Sequence, residues 1–357
     1  MNNLNAEQRA VVTAPAYQKT LVISSAASGK TKTLVARIRH LLDSGIPAEG
    51  IVAVTFTNAA ADEMLKRLGR PQGLFIGTIH SLANRYLLMN GVDTKKYLEN
   101  ERFDELFELI LQHPDCVRPV EHLLTDESQD QTSEQFTFLL DMIKPKGWTI
   151  FADHRQSIYG FRDANPQNIL DLAYDKDVKV YNLNNNYRNG KNILSYAKRI
   201  ISKLGYDYSD RSIPNYTDDG MVIEYTGSIE GLIKKIEDDG NWKDWFILCR
   251  YNSQVDTWMR MLKAKEVPCE SFKRAGMSND DLSAKMEANT VKVLTIHTAK
   301  GLEAKNVIVQ GTSFNGAEEI RVSYVAATRA KEKLYWMMPN KTRSYRSRAT
   351  SGTINWE

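Results

Sequence analysis

Ser24-Ser25-Ala26-Ala27-Ser28-Gly29-Lys30-Thr31 follows the β-branched run Thr20–Ser24 and precedes the amphipathic stretch Thr33–Leu42. A Gly-Lys-Thr between a strand and a helix is the setting a phosphate-binding loop requires. Backbone N–H groups of Ser28, Gly29, Lys30, Thr31 and Lys32 would face phosphate at the helix N-terminus. The Lys30 ammonium would reach the β/γ oxygens, and the Thr31 hydroxyl would ligate Mg²⁺. Ser24 stands where the general G-x-x-x-x-G-K-[ST] pattern has its first glycine, so the loop alone does not settle the chemistry. Downstream, Leu123-Leu124-Thr125 runs into Asp126-Glu127. Asp126 suits Mg²⁺, and Glu127 suits a general base taking a proton from attacking water. An exposed acidic turn is the plainer account of this pair, but it fits poorly after the apolar residues of a core strand. Loop, lysine, metal acid and base in that order make nucleoside triphosphate hydrolysis the leading chemistry.

Positioning these residues takes strands that end together. Thr20–Ser24, Ile51–Phe56, Leu74–His80, His122–Asp126 and Trp148–Asp153 read as one group of strands. Val178–Leu183, Met221–Thr226, Trp245–Arg250, Val291–His297, Asn306–Gln310 and Leu334–Met338 read as a second. Several are nearly continuous in apolar residues, as parallel strands buried on both faces are. Amphipathic segments separate them; Thr33–Leu42 carries Leu34, Ile38, Leu41 and Leu42 on one stripe, with Gly45 past its end. The alternation predicts an α/β protein of two lobes, residues 1–177 and 178–339, each a mainly parallel sheet flanked by helices. Residues 340–357 read as a basic, flexible tail. The 357 residues are 42% hydrophobic and 25% charged, an ordinary globular make-up that excludes a collagen-like, coiled-coil or disordered chain. With 47 basic and 44 acidic residues the net charge is +3, which neither demands nor excludes nucleic acid. Cys116, Cys249 and Cys269 lie too far apart for a disulfide framework or a Cys-rich zinc site. The N-terminus lacks a basic start followed by an apolar stretch, and no run approaches the ~18 apolar residues of a membrane span. The expectation is a cytoplasmic protein without membrane contact.

Further segments carry a resemblance to superfamily 1 helicases of the UvrD/Rep type, running from residue 4 to about residue 335. Leu4–Val11 resembles the family's Q motif, in which the glutamine, here Gln8, reads the adenine edge. Val54–Met64 and Gly77–Ala83 resemble two DNA-contacting segments. Phe151–Arg162 resembles the segment coupling nucleotide to DNA. Leu183–Arg188 matches the Asn-Tyr-Arg element, and Thr295–Glu303 and Tyr324–Ala330 match the last two motifs. The resemblance implies two RecA-like lobes with ATP and Mg²⁺ between them. In that reading Lys30, Glu127, Gln156, Arg188 and Arg329 are catalytic, Arg188 and Arg329 serving as fingers on the γ-phosphate and Gln156 sensing it. Tyr187 would stack on the base, Glu303 would bind ribose, and Thr31 and Asp126 would hold the metal. Phe56, Tyr159 and Phe161 would stack on bases of a single strand, a sequence-tolerant contact. Thr57, Asn58, His80, His297 and Thr298 would hydrogen-bond phosphates or sugars, with Lys66, Arg67 and Arg70 adding local charge.

The sequence departs from the family at several points. Ser25 and Ala27 replace glycines common in the loop, Phe161 stands where Trp is usual, and Ala59 where a basic residue is common. Relatives carry an accessory domain inserted in each lobe, which contacts duplex and restrains the motor. Here Ser81–Leu124 and Arg250–Leu294 are too short to fold as independent domains. The resemblance therefore implies a compact, monomeric 3′→5′ translocase on single-stranded DNA, with RNA left open and replication or repair proteins as further partners. Two alternatives stand beside it. One is an ATP-gated single-strand-binding module, favoured by the altered loop. The other is a small-molecule phosphotransferase, which would not need the aromatic series.

Overall fold

In the computed structural model, which describes residues 3–273 and 277–338, the apolar runs assemble into two six-stranded sheets with every pairing parallel. The first contains β1 (Lys19–Ser24), β2 (Ile51–Val54), β3 (Phe75–Gly77), β4 (His122–Thr125), β5 (Gly147–Ala152) and β6 (Lys179–Leu183), in the order β3-β2-β4-β5-β1-β6. Its central strands are covered on both sides: Leu21, Leu123 and Ile150 belong to one core cluster, Val22, Leu124 and Phe151 to the other. That two-sided burial is why these strands read as continuous apolar runs and not as alternating ones.

Helix α1 (Ala6–Val12) opens with a capping box, in which Asn5 Oδ1 accepts from the Gln8 N–H (2.8 Å) and Gln8 Oε1 accepts from the Asn5 N–H (3.1 Å). Helix α2 (Lys30–Asp43) starts from the phosphate loop and buries Leu34, Val35, Ile38 and Leu41. Its fully buried Arg37 donates to the carbonyls of Val12, Ala14 and Pro15, so one guanidinium fastens the end of α1 to the loop helix. Helices α3 (Asn58–Leu68) and α4 (Ile79–Met89) follow β2 and β3 directly. The stretch after α4 adds helices Lys95–Glu99 and Phe103–Gln112; Leu106 and Ile110 pack into the first lobe's core beside Leu82 and Leu87.

After a short ladder of β7 (Asn185–Asn186) and β8 (Ile213–Pro214), the second sheet contains β9 (Met221–Tyr225), β10 (Trp245–Cys249), β11 (Cys269–Glu270), β12 (Val291–Thr295), β13 (Ala304–Gln310) and β14 (Ala330–Met337). Its order is β11-β12-β10-β13-β14-β9. One face packs on the helices Lys191–Ile201 and Ala317–Ala327, the other on Ile229–Asp239 and Asn252–Ala264. Helix Ala317–Ala327 is buried nearly all round, from Ile320 to Ala327, as its apolar composition requires.

The structure moves one expected boundary. The sequence pattern places Val178–Leu183 in a second lobe that begins at residue 178. Instead β6 pairs parallel with β1, from Thr20 opposite Lys179 to Ser24 opposite Leu183. The first sheet therefore closes on its edge strand before the chain crosses over, and the second lobe's packing begins with helix Lys191–Ile201. Residues 340–357, read as a tail, lie outside the described residues. Among the described residues, no helix is long and apolar enough to cross a membrane.

Candidate nucleotide site and nucleic-acid face

Because all strands of the first sheet run the same way, the residues after Ser24, Val54, Thr125 and Ala152 emerge along one edge, where open α/β sheets bind ligands. There they meet the second lobe across a cleft of about 860 Å³. The cleft is lined by Ser28, Gly29, Lys30, Thr31 and Lys32 of the loop, by Phe56 and Thr57, by Asp126 and Glu127, and by Gln156, Tyr159 and Phe161. From the other side come Arg188, His297, Thr298 and Arg329. Gln8, Asn58, His80, Tyr187 and Glu303, also expected at the site, stand outside this lining.

The loop backbone is shaped for close approach. Gly29 has φ +79, and a Cβ there would sit 2.6 Å from Gln8 Nε2. Ala27 also holds a left-handed φ of 56, where a Cβ costs roughly 1–2 kcal/mol. Ser28 Oγ is buried with no partner among the described residues, an orphan that a phosphate oxygen would satisfy. Gln8 lies behind the loop: its Nε2 donates to the Ser28 carbonyl (3.0 Å) while its Oε1 caps α1. Both ends of the amide are engaged, so reading adenine would require Gln8 to exchange one of these bonds.

Lys30 bridges the two acids, contacting Glu127 Oε1 and lying 3.3 Å from Asp126 Oδ1. Burial works against the ammonium, but the Asp126 and Glu127 carboxylates outweigh it and raise its pKa above the ordinary lysine value. For Asp126 burial dominates and raises the carboxyl. For Glu127 burial is outweighed by Lys30 and Lys300, which hold it ionised below the usual carboxylate range. Glu127 is thus ionised more readily than Asp126 while Lys30 sits between them. A cation at Asp126 would favour its ionised form, and movement of Lys30 away from Glu127 would make Glu127 the better base. Glu127 also sits at φ 52, a left-handed conformation unusual for a side chain of its size. The hydroxyl of Thr31 and the carboxylate of Asp126 are hard oxygen donors, and with phosphate oxygens they form a set suited to Mg²⁺.

From the second lobe, Arg329 reaches in almost wholly buried. Its Nε donates to the Val325 carbonyl (3.0 Å), and its Nη2 donates to Gln156 Oε1 (3.2 Å) and Thr328 Oγ1 (3.0 Å). Burial foremost, then Arg188 nearby, lowers its pKa to about 9. Two neighbouring guanidiniums, of which Arg188 already faces the Glu303 carboxylate, are donors that a γ-phosphate would complement. Arg188 is docked on Glu303 and on the Thr328 carbonyl (3.3 Å). Glu303 also pairs with Lys331 (2.7 Å); burial opposes its ionisation, yet Arg188 and Lys331 pull its pKa to about 2. Glu303, the residue the resemblance assigns to ribose, is therefore already an ion-pair partner of Arg188. Tyr187 is half-exposed, its hydroxyl accepting from Asn5 Nδ2 (2.9 Å).

An aromatic group lies at the same cleft. Phe56 and Tyr159 stack at 5.5 Å with rings 18° apart; Phe161 meets Tyr159 at 5.8 Å and His297 at 5.5 Å, both edge-on. Phe161 is 66% exposed and Phe56 42%, so neither belongs to the core. Asn58, together with Thr57 at the edge of the main cleft, borders a second hollow closed by Ser278 and Asn279 of the second lobe. His80 stands apart against Phe103 and Phe107.

Sequence reasoning missed four members of the site. Lys300, within Thr295–Glu303, bonds Asp130 and donates to the Gln156 carbonyl (2.9 Å). Gln129 links Glu127 (2.6 Å) to the Asp153 N–H (3.0 Å). Arg162 places its cation over both Tyr159 and Phe161. Asp153 accepts from Gln156 Nε2 (2.7 Å), a partnership that spacing alone does not reveal.

Two parallel-sheet lobes with a phosphate loop on one and arginines from the other define a two-lobed P-loop protein. Residues 4–115 and 108–177 match the UvrD/REP helicase N-terminal domain, and residues 270–341 match the UvrD-like helicase C-terminal domain. The chain belongs to the UvrD/Rep helicase family. It is 29% identical to the ATP-dependent DNA helicase srs2 of Schizosaccharomyces pombe, over 68% of this chain and 38% of the relative. Rep of Escherichia coli is 26% identical over 70% and 52%, and DNA helicase II of Haemophilus influenzae 28% over 71% and 49%. The chain thus spans between 38% and 52% of the length of these relatives.

Proposed function

We propose that this chain is an ATP-dependent motor on single-stranded DNA, moving 3′→5′, with hydrolysis between the lobes coupled to stepping. The observation that carries the reading is one continuous cleft shared by Lys30, Glu127, Arg188 and Arg329 and by the aromatic group Phe56, Tyr159 and Phe161. The relatives named above as ATP-dependent DNA helicases support the choice of ATP and DNA.

The residues act as follows. Lys30 leaves Asp126 and Glu127 for the β/γ oxygens of ATP, which frees the ionised Glu127 to take a proton from the attacking water. Thr31 and Asp126 would hold Mg²⁺, which neutralises charge on the phosphates when bound. Arg188 and Arg329 stabilise the charge developing on the transferred phosphoryl, a contribution worth ~10³–10⁵ in rate. Gln156 bridges the Arg329 guanidinium and Asp153, and Asp153 begins the segment leading to Tyr159 and Phe161, so the γ-phosphate contact and the stacking platform share one short stretch of chain. Closure of the cleft on ATP and its release after hydrolysis alternate the grip on the strand.

ATP hydrolysis measured with and without single-stranded DNA tests this. DNA-stimulated turnover, abolished in Lys30→Ala, is the expected result; turnover that ignores DNA would point to a phosphotransferase. The second reading, an ATP-gated single-strand clamp, is favoured by the strained Ala27, and strand binding with nucleotide but no turnover would establish it.

A further inference from the structure

Asp210 lies on the segment between helix Lys191–Ile201 and β9, in no motif, yet it is one of the most connected acids in the protein. Its Oδ1 accepts from Arg155 Nη1 (3.1 Å), the Ser212 N–H (2.9 Å) and Ser25 Oγ (3.4 Å); its Oδ2 accepts from Tyr324 Oη (2.9 Å). The side chains of Asp210 and Arg155 are 0% and 3% exposed. Burial would push the Asp210 carboxyl up, but Arg155, Ser212 and Tyr324 outweigh it and hold it ionised.

The three side-chain partners belong to three parts of the site. Ser25 is in the phosphate loop. Arg155 is in the coupling segment, where its Nε also donates to Asp153 Oδ1 (2.6 Å). Tyr324 is fully buried on helix Ala317–Ala327, which leads directly into Arg329. The segment around Asp210 is itself laid against the first lobe: His154 Nε2 donates to the Asp207 carbonyl (2.8 Å), and the Ile213 N–H donates to the Asn184 carbonyl (2.7 Å).

We propose that Asp210 is a positioning residue for ATP hydrolysis, joining the phosphate loop and the coupling segment to the helix that carries Arg329. The inference rests on the motor reading above. Arg155 is buried between two carboxylates, Asp153 and Asp210, and a buried charge that loses one partner draws harder on the other. Asp153 is also the acceptor for Gln156 Nε2 (2.7 Å), and Gln156 Oε1 receives Arg329 (3.2 Å). Removing the Asp210 charge therefore disturbs, in turn, Arg155, Asp153, Gln156 and Arg329, the last two being the groups read above as meeting the γ-phosphate. Lys30 keeps its contacts with Asp126 and Glu127, and of the loop only the Ser25 hydroxyl touches Asp210. This arrangement also explains Ser25, whose hydroxyl gains an acceptor that glycine could not use.

The test compares Asp210→Asn, which preserves shape and removes charge, with Tyr324→Phe, which deletes one hydroxyl from the far side. DNA-stimulated kcat, KM for ATP and thermal melting are measured on each and on the unsubstituted chain. Asp210→Asn should lower kcat about tenfold or more while KM changes less than about threefold, the split of a group that acts late in the reaction. Tyr324→Phe should lower kcat in the same direction, and the double variant should be no slower than Asp210→Asn, because both act along one path. Asp210→Glu should recover part of the loss. Unchanged kcat in either single variant overturns the proposal. So does a loss of kcat in Asp210→Asn that is matched by loss of nucleotide affinity and melting temperature, the outcome of a purely structural role. Absence of DNA-stimulated turnover in the unsubstituted chain would instead overturn the motor reading, and this inference with it.

Discussion

At the scale of single residues, the phosphate loop shows how far two altered positions change the backbone problem. Ala27 keeps the left-handed φ of 56 that a glycine would adopt without strain. Its carbonyl accepts from the Tyr187 N–H (3.2 Å), and the Ala26 carbonyl accepts from Asn186 Nδ2 (3.0 Å), so the loop is pinned from the crossover segment despite the strain. Ala→Gly at an ordinary helical or strand position costs ~0.5–1 kcal/mol. Here relief of the Cβ clash, about 1–2 kcal/mol, offsets that cost, so Ala27→Gly should leave stability unchanged or slightly raised. Chemical denaturation checks it, and a loss near 1 kcal/mol would show that the loop is unstrained. The loop, Asp126 and Glu127 were legible in the sequence because each group is contiguous in the chain. Asp210 and its bond to Tyr324 were not, because partners 114 residues apart leave no local pattern.

Elements bring these residues together, and most were readable from periodicity. β6 was not. Its outer residues are only half covered, as befits an edge strand, and nothing in an isolated apolar run tells which of two sheets it joins. Only its pairing with β1 fixes that. The segment after β5 turns the strand's end into a platform bearing Tyr159 and Phe161, whose exposure separates packing from binding. Phe161→Ala should change stability by no more than ~0.5 kcal/mol, while single-strand binding weakens by about 1–3 kcal/mol. Filter binding alongside a melting curve decides between them, and a large stability loss with intact binding would return Phe161 to the core. β4 carries a different device. His122 Nδ1 donates to the Ala16 carbonyl (2.5 Å), and Nε2 accepts from Thr149 Oγ1 (2.9 Å), so the ring is held neutral. Burial, then Arg37, lowers its pKa to about 3, against ~6.5 in the unfolded chain. A depressed pKa means the unfolded state binds the proton first, so this stabilisation is complete above pH 6.5 and drains away as pH falls toward 3. His122→Gln should flatten stability against pH across that window, read from denaturant midpoints at pH 7.5 and 5. An unchanged slope would assign acid sensitivity to other groups.

For the whole molecule, what matters is what the connections between core strands do. Residues 78–121 do not form a separate body: α4 and helix Phe103–Gln112 bury Leu82, Leu87, Leu106 and Ile110 in the first lobe's own core. In the second lobe, helix Asn252–Ala264 packs Val255, Trp258 and Leu262 against the sheet, and Asn279 donates to the Ala59 carbonyl (2.6 Å) across to α3. Among the described residues, the first connection packs into its own lobe, and the second packs one helix on its own sheet and reaches the other lobe through Asn279. Stepping along a strand needs the two lobes, the ATP cleft and the aromatic platform, and each has its residues here. Separating a duplex also needs a surface that holds the split junction against stacking of ~1.4 kcal/mol per base step, and among the described residues no separate domain projects to supply one. The chain should therefore displace a protein block from a single strand efficiently yet unwind a long duplex with a 3′ tail poorly. Both assays belong on one preparation, so that a defective motor, failing both, is distinguished from a motor without a wedge, failing only the second. Processive unwinding would contradict the prediction, and substitution of Phe103, 43% exposed beside His80, would then be the first test for a strand-splitting surface within residues 81–124.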